Sequence, residues 1–159
     1  MVARAFDWRL LFVSFFFAFV FSVVELPVSF AIWRPEWAAI SVFYWTLRAP
    51  DHVGIVFAWC VGVLLDVLEG KILGTNGLAL SVTAYLVLTL QQRLRLFPLL
   101  QQSFVVFMVV GINLMIGQLI RNISGDPVAG FGYLLPAVSS ALLWPFLYLV
   151  IEKIYQKFR

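Results

Sequence analysis

Six apolar runs occupy this chain almost from end to end, with only short polar stretches between them. They extend from Leu10 to about Ile32, Trp37 to Leu47, Val53 to Leu68, Leu73 to Leu90, Leu99 to Ile120, and about Phe131 to Ile151. At roughly 1.5 Å rise per residue, a helix through the first or fifth run exceeds the roughly 30 Å hydrocarbon core of a bilayer. The connections leave no room for a water-soluble domain, so residues 1–159 read as one transmembrane domain. The expected fold is an all-α integral membrane protein, a compact bundle of six transmembrane helices with a short second one.

Composition agrees. Hydrophobic residues make up 63% and charged residues 12%, against the roughly 25% charged content of a soluble domain. The mean hydropathy is +0.99. Cys60 has no second thiol to pair with, and the single histidine, His52, excludes a metal site needing two imidazoles. Arg4 and Arg9 precede the first run as in a signal peptide, but the run's length and the lack of a small-residue cleavage site favour a retained span.

The second run covers barely half the core, and basic residues decide whether to count it. With six spans and the N-terminus inside, the cytoplasmic side holds Arg4, Arg9, Arg48, Arg93, Arg95, Lys153, Lys157 and Arg159. The outer side holds Arg34, Lys71 and Arg121. Five spans give a weaker asymmetry, so the positive-inside rule favours six, with both termini cytoplasmic. Pro35, Pro50, Pro98 and Pro127 fall in connections or at helix starts, where a missing N–H is tolerated. Pro27, Pro136 and Pro145 lie inside runs and are expected to kink them. Trp8, Trp33, Trp37 and Trp45 flank the first two runs at headgroup level, whereas Trp59 and Trp144 read as packing between helices.

Two charges lie within the runs, Glu25 and Asp66, and each needs something to hold it there. Gly54, Ala58, Gly62 and Asp66 recur every four residues on one face of the third helix. A small-residue stripe lets another helix approach closely, so Asp66 is expected to point into protein. It reads first as accepting hydrogen bonds from the following turn, with pairing to Arg34, Arg121 or a partner as the alternative. Glu25, just before Pro27, marks where the first helix ends or bends. The hairpin from Asp66 to Gly77 carries three glycines, Gly70, Gly74 and Gly77, which permit tight turns at positive φ. Asn113, Gly117 and Gln118 on the fifth helix, and Ala137, Ser140, Ala141 and Trp144 on the sixth, read as helix-packing positions. The segment Gln91 to Arg95 sets charge beside the membrane, suited to a topology anchor or to anionic lipid. His52 beside Asp51 reads as part of a helix N-terminal cap.

Catalysis has little to stand on. His52 and Cys60 sit about two helical turns apart, beyond hydrogen-bond reach, and no phosphate-binding, zinc or haem motif is present. A carboxylate pair of Glu25 and Asp66 is the one catalytic alternative, favoured only by membrane depth. No enzyme activity, no cofactor and no nucleic-acid partner is expected.

Arg34-Pro35-Glu36-Trp37 opening the short run, Asp66 followed by Gly70, Leu73-Gly74 and Leu78, and Leu143-Trp144-Pro145 in the last run resemble the rod shape-determining protein MreD family. The resemblance covers nearly the whole chain. Glu36 stands where the family pattern commonly carries Asp, so the carboxylate is retained. The resemblance implies a non-enzymatic bacterial inner-membrane scaffold of the elongation machinery that supports peptidoglycan synthesis and rod shape. It implies membrane lipid and an MreC-like protein as partners, within a larger complex with MreB, RodA and a class B penicillin-binding transpeptidase. It also implies a fold similar to the membrane substrate-binding component of ECF transporters. Candidate packing or partner-binding residues are Glu25, Arg34, Pro35, Glu36, Trp37, Gly62, Asp66, Gly70, Gly74, Asn113, Trp144 and Pro145. The alternative function is a small-molecule carrier or a transporter's substrate-binding membrane subunit, because broken helices often line binding sites.

Overall fold

The computed structural model describes residues 6–125 and 130–157, so Arg4, Pro127 and Arg159 lie outside the described residues. Among the described residues the regular structure is wholly helical. The helices are α1 (Trp8–Val23), α2 (Val28–Ala31), α3 (Trp37–Arg48), α4 (Ile55–Glu69), α5 (Thr75–Leu94), α6 (Leu99–Ile123) and α7 (Leu135–Lys157), the last preceded by a 3-10 turn, Gly132–Leu134.

The first apolar run is therefore not one helix. α1 stops at Val23, and Pro27 caps the one-turn α2. Proline has no N–H to donate and disfavours helical geometry in the residue before it, which separates the two. Glu25 falls in that break, as expected. Pro136 is not an interior kink either: it occupies the second position of α7, where a missing N–H costs nothing. Pro145 does lie inside α7.

The short second run becomes the centre of the bundle. α3 has 12 residues, about 18 Å at 1.5 Å per residue. All its residues from Ala38 to Leu47 except Ser41 are buried. It touches α1, α4, α5, α6 and α7. A helix that short ends inside the bundle, and groups from other helices bond the backbone at both of its ends. The Glu36 N–H donates to Ser140 Oγ at 3.0 Å at one end. At the other, Arg95 Nε and Nη2 donate to the Leu47 carbonyl at 3.3 and 2.9 Å. Tertiary packing, not length, accommodates this helix.

The outer helices show the reverse pattern. α6 and the Gly132–Lys157 segment are long and apolar enough to cross a membrane, yet only 28% and 17% of their most apolar stretches are buried. Phe12, Phe16, Phe17, Phe104, Leu142 and Phe146 are exposed. So much outward apolar surface suits lipid rather than water. The interior polar groups bond one another: Trp45 Nε1 donates to Ser14 Oγ at 2.7 Å, Asn113 Nδ2 to Thr83 Oγ1 at 3.2 Å, and Trp144 Nε1 to Gln102 Oε1 at 3.3 Å.

Some smaller expectations fail. His52 does not cap a helix; Gly54 is the N-cap of α4, and the imidazole stacks on Phe6 with centroids 4.2 Å apart. Trp45, expected at headgroup level, is fully buried and donates to Ser14, whereas Trp59 is half exposed with its indole against Gly77 of α5 and Trp144 is fully buried.

Candidate functional site

The α4–α5 turn is the most constrained part of the molecule. α4 and α5 form the most extensive helix pair, and Gly62 is the reason they can. A Cβ built there would lie 2.4 Å from the Asn76 carbonyl oxygen and 2.5 Å from Gly77 Cα, so only glycine fits. One turn further, Asp66 is fully buried. Its carboxylate accepts the Gly74 N–H at 2.9 Å and the Asn76 N–H at 3.0 Å. These are first-turn donors of α5, whose own N-cap is a glycine with no side chain. Asp66 thus caps a neighbouring helix, where a carboxylate also meets the positive end of the helix dipole. The turn between them needs Gly70 at φ 67 and Gly74 at φ 95, both in the left-handed region. The expectation that Asp66 serves the following turn holds, and its pairing with Arg34 or Arg121 does not.

This rigid turn forms one wall of a polar cavity of about 80 Å³ at that end of the bundle. Lys71, Thr75 and Asn76 come from the turn and α5, Glu36 from the entry to α3, and Asn113, Gly117, Gln118 and Arg121 from α6. Tyr133 from the 3-10 turn lies across from them. Lys71 pairs with Glu69 at 2.6 Å, and Asn76 Nδ2 also donates to Glu69, at 3.2 Å. Among the described residues no ion pair closes on Glu36 or Arg121. Burial pushes the Glu36 carboxyl above its ordinary value of 4.5; Lys71 opposes this, Glu69 adds to it, and Arg34 and Arg121 oppose it further. The cavity therefore presents an uncommitted carboxyl and an uncommitted guanidinium, a surface suited to a polar or charged partner group.

Of the residues anticipated from sequence, Glu36 and Asn113 line this cavity. Gly62, Asp66, Gly70 and Gly74 build its wall. Arg34 lies close by and donates to the Phe21 carbonyl at 3.0 Å, closing the last turn of α1. Trp37 packs on Phe21, with ring centroids 5.1 Å apart, and Pro35 is half-buried beside it. Glu25 is exposed and does not line the cavity. Trp144 is not part of this site either. Its ring sits against Phe43 at 4.9 Å and its indole reaches Gln102 near the opposite end, with Pro145 next to it. Gly117 and Gln118, read with Asn113 as helix-packing positions, line the cavity too, whereas Lys71, Arg121 and Tyr133 have no place in a site read from the sequence. Lys71 and Arg121 carried a signal in falling, like Arg34, on one side of the alternating spans; Tyr133 carried none.

Comparison with known proteins agrees with the resemblance. The family model described as rod shape-determining protein MreD matches residues 3–154. The rod shape-determining protein MreD of Haemophilus influenzae is 30% identical over 151 residues, covering 95% of this chain and 93% of that protein. No solved structure matches. A match spanning nearly the whole length, on a chain whose outer helices are apolar, identifies this protein as a member of the rod shape-determining protein MreD family.

Proposed function

We propose that this chain is a non-enzymatic scaffold of the bacterial cell-elongation complex, which binds the membrane-proximal outer part of an MreC-like protein and so supports peptidoglycan synthesis and rod shape. The observation that carries the reading is the polar cavity with Glu36 and Arg121 uncommitted, on a wall fixed by Asp66, Gly62, Gly70 and Gly74. A rigid frame around unsatisfied charge favours recognition of a complementary partner over chemistry. MreB, RodA and a class B penicillin-binding transpeptidase complete the assembly in this reading, which rests for those names on the family.

The same reading places the protein in the inner membrane as six spans, with both termini cytoplasmic and the Glu36 cavity facing outward. Arg34, Lys71 and Arg121 at one end, against Arg48, Arg93, Arg95 and Lys153 at the other, support this orientation. A fold like that of the ECF substrate-binding component follows from the family resemblance alone. The Glu36 cavity itself does not favour the carrier alternative, since about 80 Å³ is well below the roughly 300–1,000 Å³ of ligand pockets.

Copurification tests the proposal. A tagged chain extracted in mild detergent from cells expressing both proteins should bring down the MreC-like partner, and depletion should round the cells. Failure to recover that partner would refute the scaffold reading, and a vitamin-sized ligand retained in native mass spectrometry would revive the carrier.

A further inference from the structure

Most polar groups around the Glu36 cavity are already spent on the protein itself. Lys71 pairs with Glu69, and Asn76 gives its backbone N–H to Asp66 and its side-chain amide to Glu69. The Thr75 hydroxyl donates to the Ile72 carbonyl at 2.9 Å, Asn113 donates to Thr83, and Gln118 donates to Asn122 at 3.1 Å. Two side chains remain. Glu36 offers carboxylate oxygens and Arg121 offers guanidinium donors, and among the described residues neither closes an ion pair.

Charge around the cavity balances, with Glu36 and Glu69 negative against Lys71 and Arg121 positive. A cation brought to Glu36 would also meet Arg121, and an anion brought to Arg121 would also meet Glu36, so either carries a like-charge penalty. A neutral group that donates on one side and accepts on the other meets no such penalty. A carboxamide does both, since its NH2 donates and its carbonyl oxygen accepts. Size narrows the choice. About 80 Å³ exceeds the roughly 10–15 Å³ that one water needs and lies far below the roughly 300 Å³ at which small-molecule pockets begin. That volume suits one side-chain head, whereas a main-chain peptide group would bring a Cα on each side with it.

We propose that the cavity receives the carboxamide of an Asn or Gln side chain from the partner protein, its NH2 donating to Glu36 and its carbonyl oxygen accepting from Arg121. The inference rests on the scaffold reading and adds to it the chemistry of the partner group.

The test is quantitative copurification of the full-length protein with the MreC-like partner, comparing Gln and Leu at both positions. Wild-type recovery reads the scaffold alone, and no partner from wild type would overturn both readings. Glu36→Gln and Arg121→Gln should each lower recovery about fivefold, the step from a charge-assisted to a neutral hydrogen bond. Glu36→Leu and Arg121→Leu leave the carboxamide unpaired and should lower it more than about tenfold. A cationic partner group would give a different pattern: Arg121→Gln would raise recovery, and Glu36→Gln would lose as much as Glu36→Leu. An anionic group would give the converse. Either pattern would overturn the carboxamide while leaving the scaffold standing. Arg121 is exposed, so Arg121→Gln decides the sign without disturbing the fold. On the partner, replacing one Asn or Gln of its outer membrane-proximal segment by Leu should reproduce the larger loss and add nothing to Glu36→Leu. Absence of any such position would overturn the proposal as well.

Discussion

Asp66 on α4 holds the backbone N–H of Asn76 on α5 at 3.0 Å, so one helix's carboxylate begins the next helix. The same residue's carbonyl accepts the Lys71 N–H at 3.0 Å, which closes α4 at Gly70. Asp66→Ala should therefore lower stability by about 2 kcal/mol, the upper range for loss of an N-cap. Asp66→Asn, which keeps one acceptor, should lose less. Asp66→Lys should be worst, because it drives a long cation onto the small-residue face, and should reduce partner recovery far more than Lys71→Ala. Thermal unfolding in detergent reads the order, and equal midpoints for Asp66→Ala and wild type would reject the capping role.

Gly62 and Gly111 make a matched pair of helical glycines. A Cβ at Gly62 meets the Asn76 backbone at 2.4 Å, whereas at Gly111 nothing lies within 4 Å. Gly62→Ala should cost at least the roughly 1–3 kcal/mol of an overpacked core, because backbone cannot step aside. Gly111→Ala should be neutral or stabilising. Membrane levels and unfolding midpoints compare them directly; similar behaviour would mean that α4 and α5 are not so closely apposed.

The raised Glu36 carboxyl gives a pH signature. Because burial makes the folded state hold this proton more tightly than the unfolded chain, the folded state binds more protons above the ordinary value of 4.5. Stability then falls as pH rises from about 4.5 through the folded value. Glu36→Gln should match wild type at pH 4 and become the more stable protein towards neutrality, while recovering less partner. A stability difference that does not change with pH would rule this out.

Thr46 supplies a test of the membrane interior. Its hydroxyl is buried and has no hydrogen-bond partner, a cost removed by an apolar group of similar shape. Thr46→Val should raise the unfolding midpoint, by the equivalent of about 1 kcal/mol. A lower midpoint would show that the hydroxyl is satisfied in the membrane.

The four-residue spacing of Ala58, Gly62 and Asp66 made the α4 face legible in sequence, whereas Gly54 at the head of the same stripe is only the N-cap, with nothing packed against it. Gly70 and Gly74 were legible because a positive φ selects glycine. The rank of α3 was not legible. Its burial depends on α1, α5, α6 and α7 closing around it and on Arg95 and Ser140 serving its ends, none of which leaves a mark within its own residues. Pro136 was misplaced because the apolar run continues through the 3-10 turn, so hydropathy overstated where α7 begins. The cavity was half legible. Alternation of spans set Glu36, Lys71 and Arg121 at one end, but only packing could show that Glu36 and Arg121 stay uncommitted while Lys71 turns to Glu69.

Site-specific photocrosslinking can locate the MreC-like partner relative to the Glu36 cavity. With a photoreactive residue at Tyr133 beside the cavity, irradiated cells should yield an adduct with the MreC-like protein, and Glu36→Lys in the same chain should abolish it. A photoreactive residue at Phe146, 69% exposed on the lipid-facing side of α7, should yield none. Crosslinking from Phe146 but not from Tyr133 would contradict the account, because the partner would then lie along the apolar face and not at the Glu36 cavity.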